Sequence, residues 1–298
     1  MKHKTYKKLY MLCYDLHIQS FVDRIPDEIY LKLVYFLQCG YWFNIKNPQN
    51  YNEKLQWLKV YDRNSMYSKL VDKYEVKKIV KTKLGEKYII PTLAIGESFI
   101  DINISELPNK FVIKCTHDSG STVICRDKNK MNWRKIQKKF DSLVKRNYFG
   151  YLREWQYKNI KPRIIVEKYI GKSNELPYDY KFFCFNGVPK VVMVAKDRET
   201  ITKSNFYDMN FIRLPLKIEN PNFDEPMNKP ENFEEMIQVA SILSKGIRHV
   251  RVDLYNICGH IYFSEMTFQH WGGFSHIEPP EWNKIMGDWI NLEDNYGI

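Results

Sequence analysis

Three charged side chains interrupt the otherwise apolar residues 250–268, VRVDLYNICGHIYFSEMTF. Arg251 and Asp253 lie in a first predicted strand, and Glu265 lies in the strand that returns after the turn. A buried carboxylate without a partner costs about 3–5 kcal/mol, so two interpretations follow. Either Arg251 forms an internal ion pair with Asp253 or Glu265, or the two carboxylates hold a divalent cation. Mg²⁺ prefers one or two carboxylates together with phosphate oxygens, which suits a site for phosphate transfer.

Side chains alternate between the two faces of a strand, and this alternation assigns the polar residues to faces. Glu265 and Thr267 are expected to share a face of the return strand with Ile261 and Phe263. Both polar side chains would then lie among apolar neighbours.

A second polar interruption occurs in residues 111–125, FVIKCTHDSGSTVIC. Lys114 lies near the end of an apolar strand, and a small polar turn with Ser119, Gly120 and Ser121 follows it. Backbone N–H groups in such a turn can approach a phosphate closely, and a lysine adds a positive charge. An ordinary hairpin with a lysine that extends to solvent explains the same residues. Both interpretations stay open on the residues alone.

Residues 163–170, RIIVEKYI, predict a buried strand that leads into a flexible joint, GKSNELP. An apolar run precedes Glu167, and the chain then leaves the sheet. Exposed backbone groups at 168–170 could hydrogen-bond to the edge of an adenine base.

The elements that position these segments change near residue 86. Helices are predicted across residues 1–85, with Pro26 and Gly40 at the ends of one of them. The last of these predicted helices covers residues 65–85 and stops at Gly85.

From residue 87 onward, apolar runs between turn residues predict strands. We also predict a basic amphipathic helix over 131–148, a hairpin around Asn186–Gly187 and a helix over 231–246. The predicted class is α+β. Its predicted parts are a helical region at 1–85, a sheet-bearing lobe at 86–170, and a second lobe at 171–298 that contains the predicted hairpin at 250–268.

The composition is typical of a globular protein with room for about two domains, because the 298 residues are 44% hydrophobic and 15% aromatic. No apolar stretch approaches the ~18 residues of a spanning helix, and no secretory signal is recognised. Six cysteines without a C-x-x-C pair argue against zinc and fit a reducing cytoplasm. We expect a cytoplasmic protein, and contact of the basic N-terminus with the inner face of the membrane stays open.

The net charge of +11 is partly concentrated in residues 126–147, which carry nine basic residues against two acids. A solvated helix face explains this charge, and so does a surface for an anionic polymer, a phosphorylated ligand or an acidic membrane. No nucleic-acid motif accompanies the charge, so nucleic acid is not the expected partner.

Taken together, these segments resemble the ATP-grasp superfamily and, more closely, its branch named for teichuronopeptide biosynthesis (TupA-type proteins). The resemblance covers residues 51–290 and depends on EKLQWLKVYDRN, LVDKYEV, FVIKCTHDSGS, YKNIKPRIIVEKYI, DYKFFCFNG, NFYD and VRVDLYN. It implies an ATP-grasp fold in which two α+β lobes enclose ATP. Most members begin with a Rossmann-like domain, and residues 1–85 do not match one.

The resemblance also implies roles for individual residues. The implied ATP-binding residues are Lys77, Lys114, Ser119, Gly120, Ser121, Glu167, Lys168, Tyr169, Ile170 and, for the ribose, Glu175. The implied metal ligands for Mg²⁺ are Asp253, Glu265 and Thr267, and Arg251 is the implied catalytic residue. Thr267 stands where the family usually has asparagine, so the third ligand departs from the pattern.

The implied reaction is ATP-dependent joining of a carboxylate to an amine, through an acylphosphate and with release of ADP. The branch suggests a uronic acid of a bacterial surface or capsular polysaccharide as the carboxylate, and an amino acid or small amine as the nucleophile. Two alternatives stay open: a sugar transferase of the same pathway, and a non-catalytic assembly protein with this fold. The absence of an Asp-x-Asp motif speaks against the sugar transferase.

Overall fold

The computed structural model describes residues 19–171, 176–197 and 199–293. The helices in these ranges are α1 (Gln19–Arg24), α2 (Asp27–Cys39), α3 (Tyr51–Tyr61), α4 (Ser65–Val71), α5 (Glu75–Leu84), α6 (Trp133–Leu143), α7 (Phe149–Leu152), α8 (Phe233–Ser244) and α9 (Glu281–Asp288). The strands are β1 (Thr92–Gly96), β2 (Phe111–Cys115), β3 (Val123–Cys125), β4 (Ile164–Lys168), β5 (Asp179–Phe185), β6 (Val188–Lys196), β7 (Lys203–Tyr207), β8 (Lys217–Ile218), β9 (His249–Ile257), β10 (His260–Thr267) and β11 (Ile277–Glu278). This mixture confirms the predicted α+β class.

Helix α2 begins and ends where the sequence predicts. Acidic residues occupy its first turn, and Gly40 closes it with φ of 85° while its N–H donates to the Phe36 carbonyl. Glycine adopts this left-handed conformation without steric strain, which explains the sharp helix end. Within the described ranges no helix has both the length and the apolar character needed to cross a bilayer.

The predicted helix over residues 65–85 is broken into α4 and α5 at Asp72, so the prediction of one continuous helix is wrong. The Asp72 carboxylate accepts hydrogen bonds from the backbone N–H groups of Tyr74 at 2.8 Å and Glu75 at 3.2 Å. A short acidic side chain competes in this way for amide protons and caps a new helix. Arg163 fixes the carboxylate with an ion pair of 2.8 Å. The break turns the intervening Lys73 away from the helical path.

The first sheet has four antiparallel strands in the order β1-β4-β2-β3. Its apolar face packs against α6, where Phe140 is fully buried with Phe111 and Ile113 of β2. Helix α6 is shorter than the predicted 131–148. The side chain of Asn132 caps its start by accepting from the Lys135 N–H at 3.0 Å, and the helix ends at Leu143 with Val144 as its C-cap.

The second sheet has five antiparallel strands in the order β10-β9-β5-β6-β7. The predicted turn between β5 and β6 is present, with φ of 50° at Asn186 and 77° at Gly187. Alternate residues of β5 enter different cores, since Phe182 packs with α8 and Phe183 packs with α3. Burial on both sides holds this sheet rigidly between helices and gives the polar residues of β5, β9 and β10 a fixed frame.

A β-bulge at Ser264 changes the register of the hairpin formed by β9 and β10. Phe263 pairs with Leu254, whereas Glu265 pairs with Asp253, so Ser264 is the extra residue. An extra residue on one strand resets the alternation of side chains from that point onward.

The bulge overturns one prediction. Ile261 and Phe263 enter the apolar core, but Glu265 and Thr267 lie on the opposite face, beside Asp253. The expected shared face was wrong because strict alternation cannot anticipate a bulge. The bulge therefore places the polar side chains of β9 and β10 on the same face of the sheet.

Candidate active site

A cavity of about 460 Å³ is lined by residues of both sheets. The first sheet contributes Lys114 and Glu167, and the second contributes Lys181 and Glu265. Lys168 at the end of β4 and the next two residues, Tyr169 and Ile170, also line the cavity, and these three were expected to contact adenine. Glu167 is another of the expected ATP-binding residues. Glu175, the expected ribose ligand, lies outside the described residues.

Two lysines from separate elements meet on one carboxylate. Lys77 of α5 lies 2.5 Å from Glu167, and Lys114 of β2 lies 2.6 Å from it. Burial disfavours the charge on Glu167, but the two ammonium groups outweigh burial and hold its pKa below the usual value. Lys77 also donates to the Ile90 carbonyl at 2.8 Å. It therefore holds Glu167 in place without lining the cavity itself.

Lys73 also lines the cavity. The resemblance implied a role for Lys77 instead, which lies four residues later in the same segment, DKYEVK. The break at Asp72 directs Lys73 to the polar turn after β2. Its N–H donates to the Thr116 carbonyl at 3.2 Å, and its ammonium group contacts the Asp118 carbonyl. The same motif contains Lys73, but only the helix break shows which lysine faces the cavity.

The polar turn of Ser119, Gly120 and Ser121 is held by its own side chains. Ser121 donates to the Asp118 carboxylate at 2.6 Å and accepts from the Cys115 N–H at 2.8 Å. Gly120 has φ of 90°, and no atom lies within 4 Å of the place where a β-carbon would be. The turn is therefore open to a ligand on that side.

A second cavity of about 500 Å³ adjoins the first. Ser119 and Gly120 line it, together with Arg251 and Thr267 of the hairpin. Lys181 and Glu265 line both cavities, so the two spaces meet at these side chains. A chemical group transferred from a ligand in one cavity to a ligand in the other would pass Lys181 and Glu265.

Arg251 is buried and makes a bidentate contact with Asp253, with two N–O distances of 2.7 Å. It also donates to the Thr267 hydroxyl at 3.1 Å and lies 2.5 Å from Nδ1 of His270. Lys181 approaches the same Asp253 carboxylate. The sequence allowed Arg251 to pair with Asp253 or with Glu265, and the bidentate pair is formed with Asp253. This pair fixes the guanidinium group at the edge of the second cavity.

Glu265 is the centre of a ring of positive charge. Burial opposes its ionisation, but Lys73, Lys181, Arg251 and Lys114 lower its pKa to about 2. These cations come from α4–α5, β5, β9 and β2, so no local stretch of sequence shows their convergence. Lys114 also pairs with Glu167, and Arg251 and Lys181 also pair with Asp253, so these carboxylates share in neutralising the four cations. The concentration of cations at the junction favours an anionic ligand there.

Protonation of Glu265 should weaken the fold at acid pH. Its pKa is lowered from 4.5 to about 2, so its stabilisation is present above about pH 4.5 and is lost as the pH falls through about 2. We expect Glu265→Gln to reduce the free energy of unfolding at pH 7 by about 1–2 kcal/mol, allowing for the 35% exposure of the side chain. Urea unfolding at pH 7 and pH 3 measures the effect. A difference between the two proteins that does not shrink at pH 3 would contradict it.

The residues expected to bind Mg²⁺ fit that ion in part. Among the described residues no group of three or more His, Cys, Asp and Glu side chains could hold a metal. Mg²⁺ needs only one or two carboxylates when phosphate oxygens complete its shell. Glu265 and Thr267 face the cavities and suit this role, whereas Asp253 is occupied by Arg251 and Lys181.

Two antiparallel sheets share a cation-lined cavity, as expected for an ATP-grasp fold. The chain belongs to the TupA-like ATP-grasp family, whose match covers residues 53–291. The predicted resemblance is confirmed. Among curated proteins none matches the chain.

Solved structures show more distant similarity. D-alanine–D-alanine ligase from Bacillus anthracis, complexed with ATP, is 18% identical with a TM-score of 0.42, covering 68% of this chain and 55% of that one. The corresponding ligase from Helicobacter pylori is 12% identical with a TM-score of 0.41, covering 76% and 64%. An L-amino acid ligase from Bacillus licheniformis is 11% identical with a TM-score of 0.42, covering 74% and 47%. The chain thus spans about half to two thirds of these proteins, and similarity at this level carries no argument about substrates.

Proposed function

We propose that this protein is an ATP-dependent ligase that joins a carboxylate to an amine through an acylphosphate and releases ADP. The observation that carries the proposal is the junction of the two cavities. There Glu265 lies within a ring of four cations, with space for a nucleotide on one side and for a second substrate on the other.

The first cavity suits the nucleotide. The segment 168–170 would contact adenine, Lys114 and Lys73 would neutralise phosphate oxygens, and the turn at 119–121 would supply amide donors to the phosphates at the junction. Lys77 acts from behind by holding Glu167. The ribose contact proposed for Glu175 completes the set.

Glu265 and Thr267 would hold Mg²⁺, and Asp253 would join them once its contact with Lys181 opens. When bound, the ion supplies positive charge to the phosphate oxygens. Arg251 and Lys181 line the second cavity, where they would face the negative charge that develops during transfer. Preorganised cations of this kind stabilise a phosphoryl transition state without reorganising during the reaction.

The family and the charge distribution support a surface-polysaccharide uronic acid as the carboxylate, and an amino acid or small amine as the nucleophile. Helix α6 presents exposed basic side chains, including Lys135 and Lys138, beside the first sheet. Lys139 of this helix donates to the Ser121 carbonyl at 2.8 Å, so the basic face adjoins the polar turn. An anionic glycan could therefore lie along α6 and reach the junction. We propose a cytoplasmic location, at the site of precursor assembly.

A nucleotide-product assay tests the proposed function. We expect protein, Mg²⁺-ATP, glucuronic acid and a panel of primary amines to release ADP at a rate that depends on both the acid and an amine. Release of AMP, or of no nucleotide product with any panel member, would contradict the ligase. Consumption of a nucleotide sugar without ATP would favour the sugar transferase, and binding of Mg²⁺-ATP without turnover would favour the assembly protein.

A further inference from the structure

One carboxylate in the second cavity has no partner among the described residues. Glu154 is only 5% exposed, yet it lines the cavity. No hydrogen bond or ion pair from the described residues reaches its carboxylate oxygens, and these oxygens are not sealed from the cavity. A buried carboxylate without a partner is costly, so one that faces a cavity is expected to meet a ligand there.

Lys59 is a buried cation whose charge acts on Glu154, but its hydrogen bonds go to other groups. Lys59 of α3 is 1% exposed, but its ammonium group donates to the Gln56 side chain at 2.9 Å and to the Gly272 carbonyl at 2.6 Å. Burial raises the pKa of Glu154 to about 7, and the charge on Lys59 only partly offsets this effect. The two charges influence one another through space, but Lys59 leaves the carboxylate open toward the cavity.

The surroundings of Glu154 suit a positively charged group. Three tyrosines, Tyr148, Tyr151 and Tyr157, line the same cavity, and the rings of Tyr148 and Tyr157 lie 4.9 Å apart. Aromatic faces attract an ammonium ion, and a carboxylate among them gives it a counter-charge. Arg251 and Lys181 line the same cavity.

The loop at Trp271 and Gly272, which lines the same cavity as Glu154, has an unusual backbone conformation. Trp271 has φ of 50° and Gly272 has φ of 64°. A β-carbon at Gly272 would lie 2.4 Å from Cδ1 of Leu152, so a larger residue would displace that side chain and would also have to adopt the left-handed conformation. Non-glycine residues in this conformation are strained and persist where the surroundings fix them, which occurs often at ligand sites. The cavity wall beside Glu154 is therefore a fixed surface.

We propose that Glu154 receives the ammonium group of the amine substrate and accepts one of its protons. This inference rests on the proposed ligase function and specifies its nucleophile as a primary ammonium ion. Arg251 and Lys181 hold the acylphosphate at the cationic side of the cavity, and Glu154 holds the ammonium ion at the other side.

The ammonium ion gives one proton to the Glu154 carboxylate, and the freed nitrogen lone pair attacks the acyl carbon. A C–N bond forms, and the C–O bond to the phosphate breaks. The second proton of the nitrogen leaves with the phosphate, and the Glu154 proton returns to water when product departs. Glu154 is a catalytic residue in this step.

Glu154→Gln tests the proposal, with glucuronic acid as the carboxylate and glycine or ethanolamine as the amine. We expect kcat/KM for both amines to fall on the order of 10² to 10³-fold. Hydroxylamine is uncharged at neutral pH and needs neither a counter-charge nor a base. Its rate of ADP release should change by less than about threefold, because the acylphosphate step is intact. Loss with only one of the two amines would overturn the proposal, because both carry the ammonium group that Glu154 is proposed to receive.

A matched control is Glu53→Gln, which changes another buried carboxylate that accepts from the Gln49 N–H at 2.7 Å and lines neither cavity. It should leave both the amine and the hydroxylamine rates unchanged. Equal amine rates for Glu154→Gln and the wild type would overturn the proposal, and so would an equal loss with hydroxylamine. If Glu154→Gln does not fold, the double variant with Lys59→Met removes both buried charges and carries the same comparison. No ADP release from the wild type with any nucleophile would overturn the ligase itself.

Discussion

Replacing Lys114 with alanine should abolish the rise in melting temperature that Mg²⁺-ATP gives to the wild-type protein. A ligand that binds only the folded state at about 100 times its Kd adds about 2.7 kcal/mol, which is roughly 5 °C for a chain of this size. Lys114 is 9% exposed, lines the first cavity and belongs to the cation ring around Glu265. Its loss removes a fixed charge from the phosphate site, and no other described side chain replaces it at the end of β2.

The variant needs a control for stability, because Lys114 also pairs with Glu167 at 2.6 Å. Lys77 remains on that carboxylate, so we expect the variant to fold with a lower melting temperature. Lys114→Met, which retains most of the side-chain volume, separates lost packing from lost charge. Lys190→Ala removes an exposed lysine from β6, outside both cavities, and should keep the full ATP response. A normal response in both Lys114 variants would show that the first cavity does not hold the nucleotide phosphates.

Arg251→Lys should reduce kcat by on the order of 10² to 10³-fold while Mg²⁺-ATP still raises the melting temperature. The guanidinium group of Arg251 contacts both carboxylate oxygens of Asp253 and also contacts Thr267 and His270. Lysine keeps the charge but cannot make these planar, simultaneous contacts, so the charge is no longer fixed at the junction. Steady-state ADP release together with thermal shift measures the two effects separately.

Arg248→Lys is the matched control for this prediction. Arg248 lies just before β9 and pairs with Asp62 at 3.0 Å, away from the two cavities. The same chemical change there should leave kcat within about twofold of the wild type, because Arg248 lines neither cavity. A full rate in Arg251→Lys, or an equal loss in Arg248→Lys, would remove Arg251 from the proposed transfer step.

The sequence shows most of the charged side chains of the candidate site, but it does not show which of them lie together. Lys114, Glu167, Arg251 and Glu265 stand out as charges within apolar strands, and the structure places all four at the junction of the cavities or in their walls. Lys181 is a charge of the same kind in DYKFFCF and could have been found by the same reasoning. Glu154 could not, because it lies in a loop region where a charged residue is ordinary.

By itself, the sequence determined the local elements: the glycine that ends α2, the Asn186–Gly187 turn, and the apolar strands that form both sheets. These follow from backbone conformation and side-chain period, which act over a few residues. Only the tertiary structure decided that Asp72 breaks a helix and that Ser264 forms a bulge. Each depends on a distant partner, Arg163 for the first and strand β9 for the second, and no local preference contains such a partner. The same reason explains why four cations from separate elements meet at Glu265, where burial and long-range charge, rather than spacing along the chain, define the site.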